Sequence, residues 1–201
     1  MKRRLALFVL LAGAAPASAS DYRFDPVHTQ ILFAVNHLGF SRPQGRLHVK
    51  SGFIHFDENA WPEAKVEAVI DTTSLDMGDA AWNAKLRSWE FFGAEKHPTA
   101  QFVSTGIEKT GERSGVVHGR LTLLGVTHPL DLEVTFNRAG MDSYSLHYTA
   151  GFSATATLKR SDFGMRKYLP DIGDEVTIHI EAEGLRDRSA QEQAQPSDKE
   201  H

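Results

Sequence analysis

The sequence predicts an all-β fold: a single eight-stranded antiparallel barrel with one main helix. Three observations lead there. Apolar and polar residues alternate with a period of two along most of the chain after residue 30, which makes strands with one dry and one wet face. One stretch, 79–92, changes to a helical period. The length of 201 residues, without internal repeats, suits one domain with short appendages. Antiparallel strands in that number can remove their free edges by closing on themselves, and such a barrel is wide enough for one small ligand. A two-sheet sandwich is the alternative arrangement.

In chain order, Ile31, Phe33 and Val35 alternate with Gln30, Leu32, Ala34 and Asn36, and His37 continues the apolar row. That face is expected to look inward. A strand is expected at 45–57, where Leu47, Val49 and Phe53 share a parity and Ile54 and Phe56 take both sides. Gly52 sits where a bulge would switch faces. Ala64, Val66, Ala68 and Ile70 form the next row. The helix follows: Trp82, Leu86 and Trp89 fall at i, i+4 and i+7, Asp79 is placed to cap its start, and Gly93 follows its end, giving about three turns. Strands are expected at 99–107 and 115–124, then a turn at Gly125-Val126-Thr127-His128-Pro129. Leu130, Leu132, Val134 and Phe136 alternate next. The row from Leu146 through Phe152 to Leu158 is the longest, and Val176, Ile178, Ile180 and Ala182 form the last. Polar composition after Gly184 marks 186–201 as a disordered tail, leaving 20–185 as the barrel domain.

The first residues read as an address. Lys2, Arg3 and Arg4 precede an apolar run from Leu5 to Ala15, and Ala17-Ser18-Ala19 has the small-x-small pattern of a cleavage site. Residues 1–19 are therefore expected to be a secretory signal peptide cut after Ala19. The run is too short to cross a hydrocarbon core of about 30 Å, and no other run approaches that length. The product is expected to be exported to the periplasm without spanning a membrane. Its 19 basic residues against 26 acidic ones give a net charge of −7, against −4 for the whole chain. That balance argues against nucleic acid and against anionic membrane surfaces as partners.

The chain has no Cys, which excludes disulfides, thiolate metal sites and thiol catalysis. It has 10 His, but no His-x-His and no His-Glu-x-x-His, and no metal site is expected. Nucleophile-elbow, phosphate-loop and dinucleotide signatures are absent as well.

Several segments carry a family likeness. They are Phe24-Asp25-Pro26-Val27-His28-Thr29, Ile31 to Ser41, Gly52-Phe53-Ile54-His55-Phe56-Asp57, Leu86-Arg87-Ser88-Trp89-Glu90-Phe91-Phe92 and Lys96-His97-Pro98-Thr99-Ala100-Gln101-Phe102. Gly119 to His128, Phe152 and Arg160-Ser161-Asp162-Phe163-Gly164-Met165 complete the series. In this order and spacing the chain resembles the YceI-like family of exported lipocalin-like proteins described as binding polyisoprenoids, from about Tyr22 to Gly184. The resemblance implies an extended lipocalin-like barrel around a long apolar cavity, ligands such as isoprenoid quinones or polyprenyl compounds, and no catalytic residue set. No cofactor is implied beyond a bound isoprenoid lipid. One departure stands out. Many members have an Arg-Asp pair shortly before the Leu-Arg-Ser segment, where this chain reads Ala81-Trp82-Asn83-Ala84-Lys85.

The cavity candidates are Ile31, Phe33, Val35, His37, Phe40, Trp82, Leu86, Trp89, Phe91 and Phe152. Large apolar side chains also fill ordinary cores, and that is the alternative for each aromatic taken singly. His37 is either a polar handle inside the cavity or a buried histidine bonded to backbone. Arg160 is the head-group candidate, because its fork suits a phosphate or carbonyl. A structural ion pair with Asp25, Asp57 or Asp162 is its alternative. The leading function is periplasmic sequestration or transport of a long-chain isoprenoid amphiphile, without catalysis. An enzyme acting on a lipid or peroxide in the same cavity, and an accessory module of a membrane redox partner, are the rivals. The sequence leaves a homodimer open.

Overall fold

The computed structural model describes residues 19–187 together with Ser189 and Ala190. The signal peptide expected at 1–19, but for Ala19, lies outside the described residues, as does the tail expected from 186 beyond Ala190. Nine strands are formed: β1 (Ser20–Phe24), β2 (Gln30–His37), β3 (Gln44–Phe56), β4 (Lys65–Asp76), β5 (Thr99–Lys109), β6 (Ser114–Leu123), β7 (Val126–Met141), β8 (Tyr148–Lys159) and β9 (Ile172–Arg186). The named elements among the described residues also include α1 (Ala80–Arg87) and two 3-10 turns, Trp61–Glu63 and Arg160–Phe163.

The nine strands fill eight positions in a closed antiparallel barrel. β1 and β2 share one stave: β1 pairs with β3 at Tyr22↔Ile54 and with β9 at Arg23↔Leu185, while β2 meets the same two strands at Ile31↔Leu47 and Ile31↔Ile180. Between them, residues 25–29 leave the ladder. Thr29 repairs the gap, since its buried hydroxyl donates to Glu183 O at 3.2 Å and accepts from Glu183 N at 3.3 Å. From that stave the ring runs β9, β8, β7, β6, β5 and β4, and β4 closes on β3 through pairs such as Val49↔Ile70 and Ile54↔Val66. Closure leaves no free edge to template pairing with another chain.

Inward parity is set by alternation and reset at bulges, among them one in β3 and one in β5. In β3 the register shifts between Val49 and Ser51, so Leu47 and Val49 face in before the shift and Ile54 and Phe56 face in after it. Gly52 permits this: its φ is +143°, and a Cβ there would lie 2.1 Å from Glu67 O. In β5 a shift between Ser104 and Gly106 does the same, taking the inward row from Phe102 to Ile107.

One end of the barrel is closed by an aromatic plug. The Phe56 ring lies 5.2 Å from Trp61, 5.0 Å from Phe136 and 5.1 Å from Phe152. Trp61 is only 3% exposed, and it reaches this position because Gly115 leaves room where a Cβ would stand 2.7 Å from the indole. Each of these rings contributes about 1.5–3 kcal/mol by leaving water.

Four expectations are corrected. The helix is shorter than 79–92. Asp79 caps it, accepting from Trp82 N at 2.8 Å, but it ends at Arg87 because the Ser88 hydroxyl donates back to Lys85 O at 2.7 Å and Ser88 turns extended. The turn expected at 125–129 is only Leu124–Gly125, both at positive φ (55° and 77°), a two-residue hairpin that leaves Val126 to Pro129 in β7. The long row begins at Tyr148, since Leu146 is exposed at φ 58° in the preceding turn. Arg186, expected in the tail, is the last residue of β9 and pairs with Tyr22.

Candidate functional site

The inward rows enclose an apolar tunnel of about 380 Å³. Ile31, Phe33, Val35 and His37 of β2 line one wall, facing Leu130, Leu132 and Val134 of β7 among others. Val176, Ile178, Ile180 and Ala182 of β9 and Phe152, Ala154 and Leu158 of β8 continue it. The volume falls in the range of sites that hold one small molecule. Phe56, Trp61 and Phe152 form the floor. The opposite end is a mouth built by α1 and the segments after β2, β4 and β8, with Met77, Trp82, Lys85, Leu86, Phe91 and Tyr168 on the lining.

Deep polar groups on the lining are already engaged. The Thr72 hydroxyl donates to His97 O at 2.6 Å, Thr29 bonds Glu183 as described, and His55 Nδ1 lies 2.7 Å from Asp21 Oδ1. Polar chemistry gathers at the mouth instead. His37 contacts the Trp82 ring at 6.1 Å, and Tyr168 stacks on Phe91 at 6.2 Å. Lys85 Nζ lies 5.5 Å over the Tyr168 ring and is hydrogen-bonded to Glu90, whose other oxygen takes Lys167 at 3.0 Å. The Glu90 bond pushes the Lys85 ammonium above its ordinary range, and the two lysines hold Glu90 below its own.

α1 is hung on the barrel by Asp76, the last residue of β4. Asp76 Oδ1 accepts from Gly78 N at 2.9 Å and from Asn83 Nδ2 at 3.1 Å, and Oδ2 takes Arg46 at 3.0 Å. Asn83 in turn accepts from Met77 N at 2.6 Å. The Gly78 amide first, then Asn83 and Arg46, lower the Asp76 carboxyl from 3.8 to about 2. A carboxyl held low in the fold contributes stability above its unfolded value and loses it as pH falls through the folded one. The mouth is therefore expected to loosen between about pH 4 and 2. Asp76→Ala should show that loosening already at pH 7, as faster hydrogen exchange at the Met77, Gly78 and Trp82 amides. Unchanged exchange there would contradict the anchoring role.

Eight of the ten cavity residues expected from the sequence do line the tunnel: Ile31, Phe33, Val35, His37, Trp82, Leu86, Phe91 and Phe152. Phe40 and Trp89 do not, being 88% and 85% exposed. Phe40 stands in the hairpin turn after β2, closed by Phe40 N donating to His37 O at 3.0 Å. Trp89 lies two residues past the end of α1, so its helical spacing is lost.

Arg160 also lines the tunnel, but its guanidinium serves the backbone. Nε donates to Gly173 O, Nη1 to Met165 O and Nη2 to Ile172 O, each at 2.8 Å. Burial lowers its affinity for the proton, and Asp174, held by Ser161 at 2.7 Å, offsets part of that. The ion pair with Asp25, Asp57 or Asp162 is not formed. Sequence reasoning missed Tyr168, Met165 and Met77 as lining residues; they sit in irregular segments where no period marks them.

The described histidines are dispersed. His55, His118 and His179 pair with Asp21, Asp131 and Glu181 on the barrel wall. Among the described residues one group could chelate a cation: Asp25, His28 and Glu183, at the excursion between β1 and β2. Asp25 there also accepts from Val27 N at 2.8 Å, so the group is explained as the brace of that loop. No described helix is long and apolar enough to cross a membrane.

A family profile described as a YceI-like domain matches residues 22–184, nearly the whole barrel. The chain belongs to the YceI-like family. Relatives named UPF0312 protein agree with this. The one from Azotobacter vinelandii is 39% identical over 185 residues, covering 90% of this chain and 95% of its own. One from Pectobacterium carotovorum is 38% identical, with 89% and 93% covered. Among solved structures, the Campylobacter jejuni YCEI protein is 27% identical, with a TM-score of 0.66 and 76% and 90% of the two chains covered. Burkholderia cenocepacia BcnA shares the fold at 24% identity and TM-score 0.70, over 80% of this chain and 98% of its own. So does a domain from Saccharophagus degradans described as polyisoprenoid-binding, at 17% identity and TM-score 0.62, over 85% and 100%. These structures share the closed barrel fold with this chain.

Proposed function

We propose that the protein is a periplasmic carrier that takes one long-chain isoprenoid amphiphile, of polyprenyl or quinone type, tail first into the barrel. The observation that carries this is the tunnel's polarity: apolar and aromatic at the closed end, with the lining groups Thr29, Thr72 and His55 already bonded, and with Lys85 and Tyr168 at the mouth. A linear hydrocarbon gains about 0.8 kcal/mol per buried carbon, so an isoprene unit of five carbons gains about 4 kcal/mol. Three units gain about 12 kcal/mol, enough to outweigh the several kcal/mol that association costs. Tyr168, Lys85 and His37 would then meet the head group. Binding without catalysis is supported by the engagement of Thr29, Thr72, His55 and Arg160 with backbone or a carboxylate, which leaves no free reacting constellation among these lining groups. Export rests on the leader pattern of residues 1–19. Native mass spectrometry of protein purified from its own host is expected to show a 1:1 complex with a prenyl-chain lipid. Empty protein that also fails to take up prenyl quinones or polyprenols would overturn the proposal.

A further inference from the structure

We infer that the mouth end is a docking surface for a lipid bilayer, and that Phe40 and Trp89 are its inserting residues. Ten large hydrophobic residues are exposed among those described, and six of them stand at this end: Leu38, Phe40, Trp82, Trp89, Val126 and Tyr168. The segments carrying five of them are stitched into one rim. Leu38 N donates to Asp171 O at 3.0 Å, His37 contacts Trp82, and Phe91 stacks on Tyr168. Trp82 and Tyr168 belong to both the rim and the tunnel lining, so the exposed apolar surface is continuous with the cavity opening. Phe40 and Trp89 have no part in the tunnel, yet they present whole rings to solvent at its entrance. Rings of this kind, with a wet neighbour on one side, partition to the boundary between head groups and acyl chains.

The charge is arranged to match. The connections at the mouth, 38–43, 77–98, 124–125 and 160–171, hold seven basic residues against five acidic. Those at the floor, 57–64, 110–113 and 142–147, hold one basic against five acidic. The net negative charge that argued against anionic membranes is thus concentrated away from the mouth. An anionic surface repels the floor and the body and accepts the mouth, which turns the opening toward the membrane.

The occupant is a bilayer rather than a protein because the rim borders the opening of an apolar tunnel, and two of its residues, Trp82 and Tyr168, line that tunnel as well. That step rests on the carrier reading, and the test keeps the two apart. Protein purified from its host is mixed with vesicles of phosphatidylcholine and phosphatidylglycerol, 3:1, containing no prenyl lipid, and sedimented. Wild type is expected to co-sediment, less so with pure phosphatidylcholine vesicles. The double variant F40S/W89S is expected to partition about tenfold or more weakly, from loss of two inserting rings, while taking up prenyl quinone from detergent solution as wild type does. Tyr144→Ser, which removes an exposed ring at the floor end, should leave vesicle binding unchanged. Equal partitioning of wild type and the double variant, no binding by wild type, or an equal loss in Tyr144→Ser would each overturn the docking proposal. Loss of quinone uptake by wild type would instead count against the carrier reading alone.

Discussion

Replacing Ala154 with Phe is expected to weaken uptake of a prenyl chain about 100-fold while the barrel stays folded. Ala154 projects into the tunnel between Phe152 at the floor and Leu158 nearer the mouth, and it pairs with Val134 and Ile180, which also line it. A ring at this point divides the cavity and shields the floor from the chain's tail. Losing the burial of even four carbons removes about 3 kcal/mol, or about 100-fold in affinity. Because the ring enters open space rather than a packed core, folding stability should change by less than about 2 kcal/mol. Thr155→Phe, one residue along and on the outer face, is the control and should bind as wild type. Titration with a prenyl quinone, together with urea unfolding of all three proteins, checks both halves. Wild-type affinity in Ala154→Phe would place the ligand outside the barrel.

The second large effect is expected at Arg160, on stability. Arg160→Met keeps the length of the side chain and deletes three donors. The carbonyls of Met165, Ile172 and Gly173 then lose a charged partner while lying in or beside buried structure. Each unsatisfied group costs about 1–3 kcal/mol, so a loss of about 3–5 kcal/mol is expected in urea unfolding. Arg160→Lys should rescue only part, because one ammonium cannot reach three carbonyls set around a planar fork. A loss below about 1 kcal/mol, with weakened ligand binding instead, would return Arg160 to the head-group role read from the sequence.

The barrel was legible in the sequence wherever parity carried it. The row from Ile31 to His37 faces inward because a two-residue period, once one member is buried, fixes every other member of the strand. Gly52 was readable as a face switch because Ile54 and Phe56 change parity after it. β1 was not readable, since five residues cut off by Pro26 carry too few apolar positions to show a period. Trp89 shows a different failure. Its i+7 spacing from Trp82 is ideal for a helix, but the Ser88 hydroxyl takes a carbonyl and ends the helix first. The backbone partners of Arg160 were not readable either. Its type suggested an anion, and only long-range folding brings Ile172 and Gly173 to its donors. Tyr168 and Met165 join the mouth by the same kind of contact, from a segment with no regular structure.

One ligand chain is expected to lie in the tunnel with its tail on the aromatic floor and its head at the mouth. Two prenyl quinone probes test it, one with a photoreactive diazirine at the tail and one with it on the ring. Peptide mapping after irradiation should place tail adducts on the strands carrying Phe56 and Phe152, and ring adducts on the segments carrying Trp82 and Tyr168. A reversed pattern, or adducts gathered on outward residues such as Thr155, would contradict the account.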